Sequence, residues 1–162
     1  MTSKPSKPAR GGPPFPDGPQ FPRDVLSPSS GATPGHVLGT FSWRYVPVEG
    51  ADLVIDLDVT PEVMNGSGML HGGVMATLID VVSGTALFRG DDIYERSSTT
   101  EMQISFLDAA RVGPVRAVAH VLRWGGRTAV VRVEAYDIGA ENLHVATATL
   151  TFAVKRREPA PG

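Results

Sequence analysis

Apolar and polar positions along the middle of the chain predict strands, then one helix, then more strands. Leu53, Ile55, Leu57 and Val59 are spaced two apart, with Asp56 and Asp58 between them, the period of a half-buried strand. Residues 37 to 48 are expected to pair with it across the turn Glu49-Gly50-Ala51-Asp52. Downstream, Met102, Ile104 and Phe106 alternate with Gln103 and Ser105. Residues 115 to 123 form the next strand, closed by the turn Trp124-Gly125-Gly126-Arg127. Val131, Val133 and Ala135 then alternate with Arg132, Glu134 and Tyr136. After a turn around Gly139, Ala146, Ala148, Leu150, Phe152 and Val154 alternate largely with threonines. Four consecutive strands on short turns predict antiparallel neighbours, because parallel ones need long crossovers.

Between the two sets of strands the period changes from two to that of a helix. Residues 72 to 88 would span roughly 25 Å at the helical rise. Val74, Leu78, Val81, Thr85 and Phe88 form one stripe, and Met75, Ile79, Val82 and Ala86 lie beside it. Apolar character around most of a cylinder predicts a buried helix. The fold class is therefore α+β, a sheet of about six strands with one long helix.

One ionisable residue, Asp80, stands in that helix. At three- and four-residue spacing it is flanked by Gly73, Ala76, Thr77, Ser83, Gly84 and Leu87, mostly small side chains that leave room for an approaching group. The bland reading pairs it with a distant arginine. In a helix without a solvated face, an unpaired carboxylate is costly, and costly charges cluster at functional sites. The helix start supplies a second element. Free N–H groups of the first turn stabilise negative charge, and Gly72 and Gly73 let a ligand come close to that backbone. In acyl transfer the charge to be stabilised is a tetrahedral oxyanion. Asp80 and the helix start lie roughly 12–14 Å apart along one axis. A single chain does not bring both to one carbonyl, so a second subunit is implied.

Composition narrows the possibilities further. At 162 residues the chain holds one ordinary domain, and 41% hydrophobic with 20% charged residues is a globular balance. Residues 1–35 are rich in Pro, Gly and Ser and are expected to be a disordered tail, residues 36–155 the domain, and residues 156–162 a second short tail. The net charge of −2 argues against a nucleic-acid partner. The absence of cysteine excludes disulfides, thiol catalysis and cysteine-based metal sites. No export signal and no apolar run long enough for a membrane span are seen, so a cytoplasmic location is expected.

Other motifs weigh little. Gly66, Gly68 and His71 fall one glycine short of a dinucleotide fingerprint, and no alternating strand–helix units follow. No phosphate loop, nucleophile elbow or zinc-helix motif is present. His36, His71, His120 and His144 are dispersed without ligand spacing, so no metal site is expected. Arg123, Arg127 and the run Lys155-Arg156-Arg157 are solvated surface or phosphate contacts.

The string Asn65-Gly66-Ser67-Gly68-Met69-Leu70-His71-Gly72-Gly73, followed by Ala76-Thr77-Leu78-Ile79-Asp80, resembles the hot-dog acyl-CoA thioesterases of the phenylacetate-pathway (PaaI-like) type. That family carries an Asn, His-Gly-Gly six residues later and an Asp nine residues after the His. Thr99-Thr100-Glu101-Met102-Gln103-Ile104-Ser105-Phe106 looks like its next strand, and Gly113-Pro114 and Gly125-Gly126-Arg127 also fit. The resemblance implies a hot-dog fold, a sheet wrapped around the long helix, with homodimers, commonly paired into tetramers, and active sites at the dimer interface. It implies an acyl-CoA thioesterase that needs no cofactor beyond the CoA of its substrate. By the same resemblance Gly72 N–H polarises the thioester carbonyl and His71 shapes that turn. Asp80 of the partner is base or nucleophile, Asn65 orients carbonyl or water, and Thr99 holds the water. Gly73, Met75, Arg123 and Arg127 are the candidates for substrate contact, Met75 toward the acyl group and the arginines toward the CoA phosphates. The alternative is a non-catalytic acyl-CoA-binding or sensing protein on the same fold.

Overall fold

A computed structural model of the chain describes residues 37–88 and 94–156. The expected tail at residues 1–35, and residues 157–162 of the other, lie outside the described residues. The strands are β1 (Trp43–Tyr45), β2 (Leu53–Leu57), β3 (Tyr94–Phe106), β4 (Val115–Trp124), β5 (Thr128–Asp137) and β6 (Leu143–Arg156), with one long helix, α1 (Gly72–Ala86). They form one antiparallel sheet in the order β1-β2-β4-β5-β6-β3, as the expected architecture requires.

Two expectations about the strands are corrected. The first placed β3 beside β4; β3 instead pairs with β6 at the sheet edge, and β4 pairs with β2. The cause lies in burial. All five residues of β2 are buried, so β2 needs a neighbour on each side, and β1 with its three residues covers only part of one flank. β3 is exposed at nearly every position, which suits an edge. It also begins at Tyr94, eight residues before the alternation at Met102, because its polar first half carries no apolar period. The second expected a strand across residues 37 to 48. Only Trp43–Tyr45 pairs; Val37–Thr40 is a 3-10 turn closed by Thr40 Oγ1 donating to Val37 O at 2.6 Å.

The helix lies across the concave face, mostly against β4 and β2. Met75, Leu78, Ile79, Val82, Ser83 and Ala86 are buried there. Ser83 is tolerated because its hydroxyl donates to Ile79 O at 2.7 Å, satisfying its polar group within the helix. The cylinder is not covered all round, contrary to expectation. Ala76, Thr77, Asp80, Val81, Gly84 and Thr85 are only half-buried, because no strand among the described residues lies beyond β3. Leu78, at 0% exposure, is expected to cost about 2–5 kcal/mol of stability when replaced by Ala, read as a lower urea midpoint with an unchanged m-value.

β5 ends on Asp137, a fully buried carboxylate. Its Oδ2 accepts the N–H groups of Arg111 (2.8 Å) and Val112 (2.9 Å), and its Oδ1 accepts that of Gly113 (2.8 Å). Burial pushes the carboxyl up, but the backbone N–H groups of Val112, Arg111, Gly113 and Ala140 together hold it below the usual carboxylate range. A depressed folded-state value stabilises the fold fully above the unfolded value of about 3.9, and that contribution is lost as pH falls through the lower folded value. The stability gap between wild type and Asp137→Asn is therefore expected to be widest above about pH 4 and to narrow in stronger acid, measured by urea unfolding across that range.

Candidate functional site

The loop before α1 is folded by Asn65. Its Oδ1 accepts the N–H groups of Ser67 (2.9 Å) and Met69 (3.3 Å), and its own N–H donates to Met69 O at 2.7 Å. Gly68 completes the turn at φ +69°, a conformation that favours glycine, and donates to Asn65 O at 3.0 Å. The Asn65 carbonyl oxygen is thus spent on the loop, and its amide NH₂ has no partner among the described residues. The glycines of the near-fingerprint form this closed turn, which is no dinucleotide cradle.

The loop delivers His71 to the cap of α1 in an extended conformation (φ −63°, ψ 131°). His71 Nδ1 accepts the N–H of Gly73 at 3.0 Å, and His71 O accepts those of Val74 (2.9 Å) and Met75 (3.1 Å). A helix start leaves four N–H groups without intrahelical acceptors. Of these four, those of Gly73 and Val74 are met by His71 and that of His71 by Val63 O (2.9 Å), whereas Gly72 N–H has no acceptor among the described residues. Gly72 is exposed, and a Cβ added to it would meet only the Phe106 ring, at 3.7 Å. Gly73 has a different part: its missing side chain makes room for the imidazole, since a Cβ there would lie 3.2 Å from His71 Nδ1.

Gly72 opens on a cleft of about 290 Å³. Met69, Leu70, Met75, Phe106 and Leu107 give it apolar walls, and residues 108–110 close one side. Met75, the candidate for acyl contact, lines this cleft beside Met69. Leu87 is buried in the core, Phe88 packs against it, and Met102 is 41% exposed on the edge strand. Phe106 and Leu107 were legible only as the end of a strand. Their signal is the break in alternation, two consecutive apolar residues where a polar one is due.

Two turns along α1, Asp80 is half-buried on the face that β3 borders. Thr99 Oγ1 donates to Asp80 Oδ1 at 2.7 Å, which picks Thr99 out of the Ser97–Thr100 run; Thr100 donates instead to Thr151 O. No ion pair among the described residues involves Asp80. The contrast with other shielded carboxylates is informative. Asp56 is held by Arg116 (2.8 Å) and Arg44 (3.4 Å), and Asp137 by backbone. Asp80 has one hydroxyl partner, so Oδ2 is left without one among the described residues.

Arg123 and Arg127 are not brought to this site within the chain. Arg127 O accepts Val154 N–H, and Val154 pairs with Ser97, nine positions along β3 from Phe106, or roughly 30 Å at the strand rise. Both arginines lie at the end of the sheet away from Gly72. Among the described residues no cluster of His, Cys, Asp and Glu is arranged to hold a metal ion. No described helix is long and apolar enough to cross a membrane.

A six-stranded antiparallel sheet around one helix, with an open helix start and an unpaired carboxylate, defines a recognisable class. Residues 67–143 match the thioesterase superfamily, and the fold is the hot-dog fold of solved thioesterases. The chain is 33% identical over 99 residues to the medium/long-chain acyl-CoA thioesterase YigI of Escherichia coli, covering 53% of this chain and 63% of that relative. It thus spans less than two thirds of that relative's length. Among solved structures, the BH2602 protein of Bacillus halodurans, crystallised with CoA, is 31% identical at a TM-score of 0.56, covering 62% of this chain and 66% of that one. The thioesterase HI1161 of Haemophilus influenzae has the same fold, with a TM-score of 0.64 over 74% of this chain and 82% of that one, at 19% identity.

Proposed function

We propose that this protein hydrolyses acyl-CoA thioesters to the free carboxylic acid and CoA, at a site shared by two copies of the chain. The observation that carries the proposal is the unoccupied N–H of Gly72, at the positive end of α1 and the mouth of an apolar cleft. A thioester carbonyl seated there would accept that N–H, its acyl chain lying along Met69, Met75 and Phe106. Asp80 Oδ2 takes a proton from water as the water attacks the carbonyl carbon, and Thr99 fixes the carboxylate through Oδ1. The negative charge that develops on the carbonyl oxygen is held by Gly72 N–H. Collapse of the intermediate breaks the C–S bond, and the departing thiolate recovers the proton as CoA–SH. No cofactor enters these steps.

The eight helical steps from Gly72 to Asp80 separate the two groups by roughly 12 Å along the axis. The half-open face of α1 and the exposed edge of β3 fit a second copy, which would set its Asp80 opposite Gly72. The names of the E. coli relative and of the CoA-bound B. halodurans protein support the substrate class.

Two inactive variants test the shared site. Mixing Asp80→Asn with Gly72→Pro after unfolding and refolding together is expected to restore about a quarter of wild-type thiol release. Half of randomly assembled dimers are mixed, and each mixed dimer keeps one intact site of two. A mixture as inactive as its parents places both groups in one chain and ends the shared-site reading. Saturable acyl-CoA binding without thiol release by the wild type, over aromatic, short and long acyl groups, would make the protein a binder instead.

A further inference from the structure

The loop that walls the cleft is gripped from behind by one carboxylate. Asp137 accepts three consecutive backbone N–H groups, those of Arg111, Val112 and Gly113. The loop has little room to adjust on either side. A Cβ on Gly113 would lie 2.7 Å from Val59 Cγ2, and Gly113 has φ +73°. A Cβ on Gly139 would collide with Gly113 O and Val112 Cγ1.

The same loop holds the segment that leads into α1. Ala110 O accepts the N–H of Leu70 at 2.8 Å, and Arg111 Nη1 donates to Ser67 O at 3.1 Å. Ala110 O and Arg111 N–H belong to one peptide unit. Its N–H is fixed by Asp137 and its carbonyl fixes Leu70, two residues before Gly72. Hydrogen bonds in such a chain polarise one another, so the bond to the buried carboxylate strengthens the one to Leu70. Both Ala110 and Leu70 are buried, which shields the chain from water.

We infer that Asp137 is a positioning residue for the Gly72 site, acting through the Ala110–Arg111 peptide on the Asn65–His71 loop. The inference rests on the proposed role of Gly72 as oxyanion donor. The direction of Gly72 N–H depends on where the loop delivers His71, and the loop is tied to the rest of the sheet through Leu70, Ser67 and the bond from His71 N–H to Val63 O. Asp137 touches no substrate. Its effect is on the transition state, where a small misplacement of a donor costs most.

The test compares Asp137→Asn with Val131→Ala, a core substitution in the middle of β5 that lowers stability without touching either loop. Backbone amide signals of Leu70 and Gly72 are followed by NMR, and kcat and KM are measured well below both melting transitions. Asp137→Asn is expected to shift both amide signals, hasten exchange at Leu70, and lower kcat on the order of 10- to 100-fold with KM little changed. Val131→Ala should lower the melting temperature and leave kcat and those signals in place. A folded Asp137→Asn whose Leu70 and Gly72 signals match wild type overturns the inference, as does an equal loss of kcat in Val131→Ala.

If Asp137→Asn does not fold, Arg111→Ala decides. Its side chain is exposed, and the substitution cuts the Ser67 tie while keeping every Asp137 bond. Shifted Leu70 and Gly72 signals with a several-fold lower kcat support the coupling of the two loops; no change in either refutes it. The amide signals report on the loops even if the wild type releases no thiol from any acyl-CoA. That result would sink the proposed activity and leave the coupling separately tested.

Discussion

Replacing Asp80 with Asn is expected to lower kcat for acyl-CoA hydrolysis by about 10²- to 10⁴-fold while leaving the fold intact. The amide keeps the shape of the carboxyl group and still offers an oxygen to Thr99 Oγ1, now 2.7 Å from Asp80 Oδ1. No ion pair among the described residues is broken by the change, so no buried cation is stranded. What the amide lacks is the ability to accept a proton from water. KM should change little, because in the proposed site the acyl chain lies along Met69, Met75 and Phe106. The measurement is thiol release at saturating substrate beside a thermal melt. A fully active, folded Asp80→Asn would remove the carboxylate from the mechanism.

Gly72→Pro is the second large effect, because it replaces the donor hydrogen on the backbone nitrogen with the ring methylene of proline. Proline is favoured at the first position of a helix, where its missing N–H breaks no helical bond. The residue before a proline must be extended, and His71 at ψ 131° already is. A Cβ at Gly72 meets only Phe106, at an ordinary contact distance of 3.7 Å. The cap by His71 on Gly73, Val74 and Met75 remains. The expected outcome is a folded protein with kcat lower by about 10²- to 10³-fold, the loss seen when one oxyanion donor is removed. Gly72→Ala keeps the N–H and should retain most of the activity. If Pro and Ala behave alike, the donor lies elsewhere.

Much of the candidate site was legible because it is local. Asn65, His71, Gly72 and Asp80 fall within sixteen consecutive positions, and a loop, a cap and a helix follow from residue types a few positions apart. The partners of these groups were not legible. Thr99 is nineteen residues from Asp80, and its register depends on a bulge, with Thr99 paired to Phe152 and Glu101 to Thr151. Gly73 looked like a place for a ligand, yet its N–H is taken by the histidine two positions before it.

Topology divides along the same line. Alternation along β4, β5 and β6 follows from a period of two with one buried face, so their existence was written in the sequence, whereas β2, expected to be half-buried, is buried at all five positions. Their order was not. β3 lies beside β6 and β4 beside β2 because a strand buried at every position needs more cover than its short partner gives, while a polar strand tolerates an edge. Periodicity says which face of a strand is buried, and says nothing about which strand lies next to it.

By itself, then, the sequence determined one helix with a carboxylate in it, a glycine-rich start and a set of amphipathic strands. All depend on residues within a few positions of each other. The tertiary structure decided that β3 borders the open face of that helix, that Thr99 is the hydroxyl on Asp80, and that Asp137 stands behind the loop leading to Gly72. Those contacts join residues 19 to 44 positions apart. They are fixed by which surfaces must be buried together, a property of the packed sheet that no local period encodes.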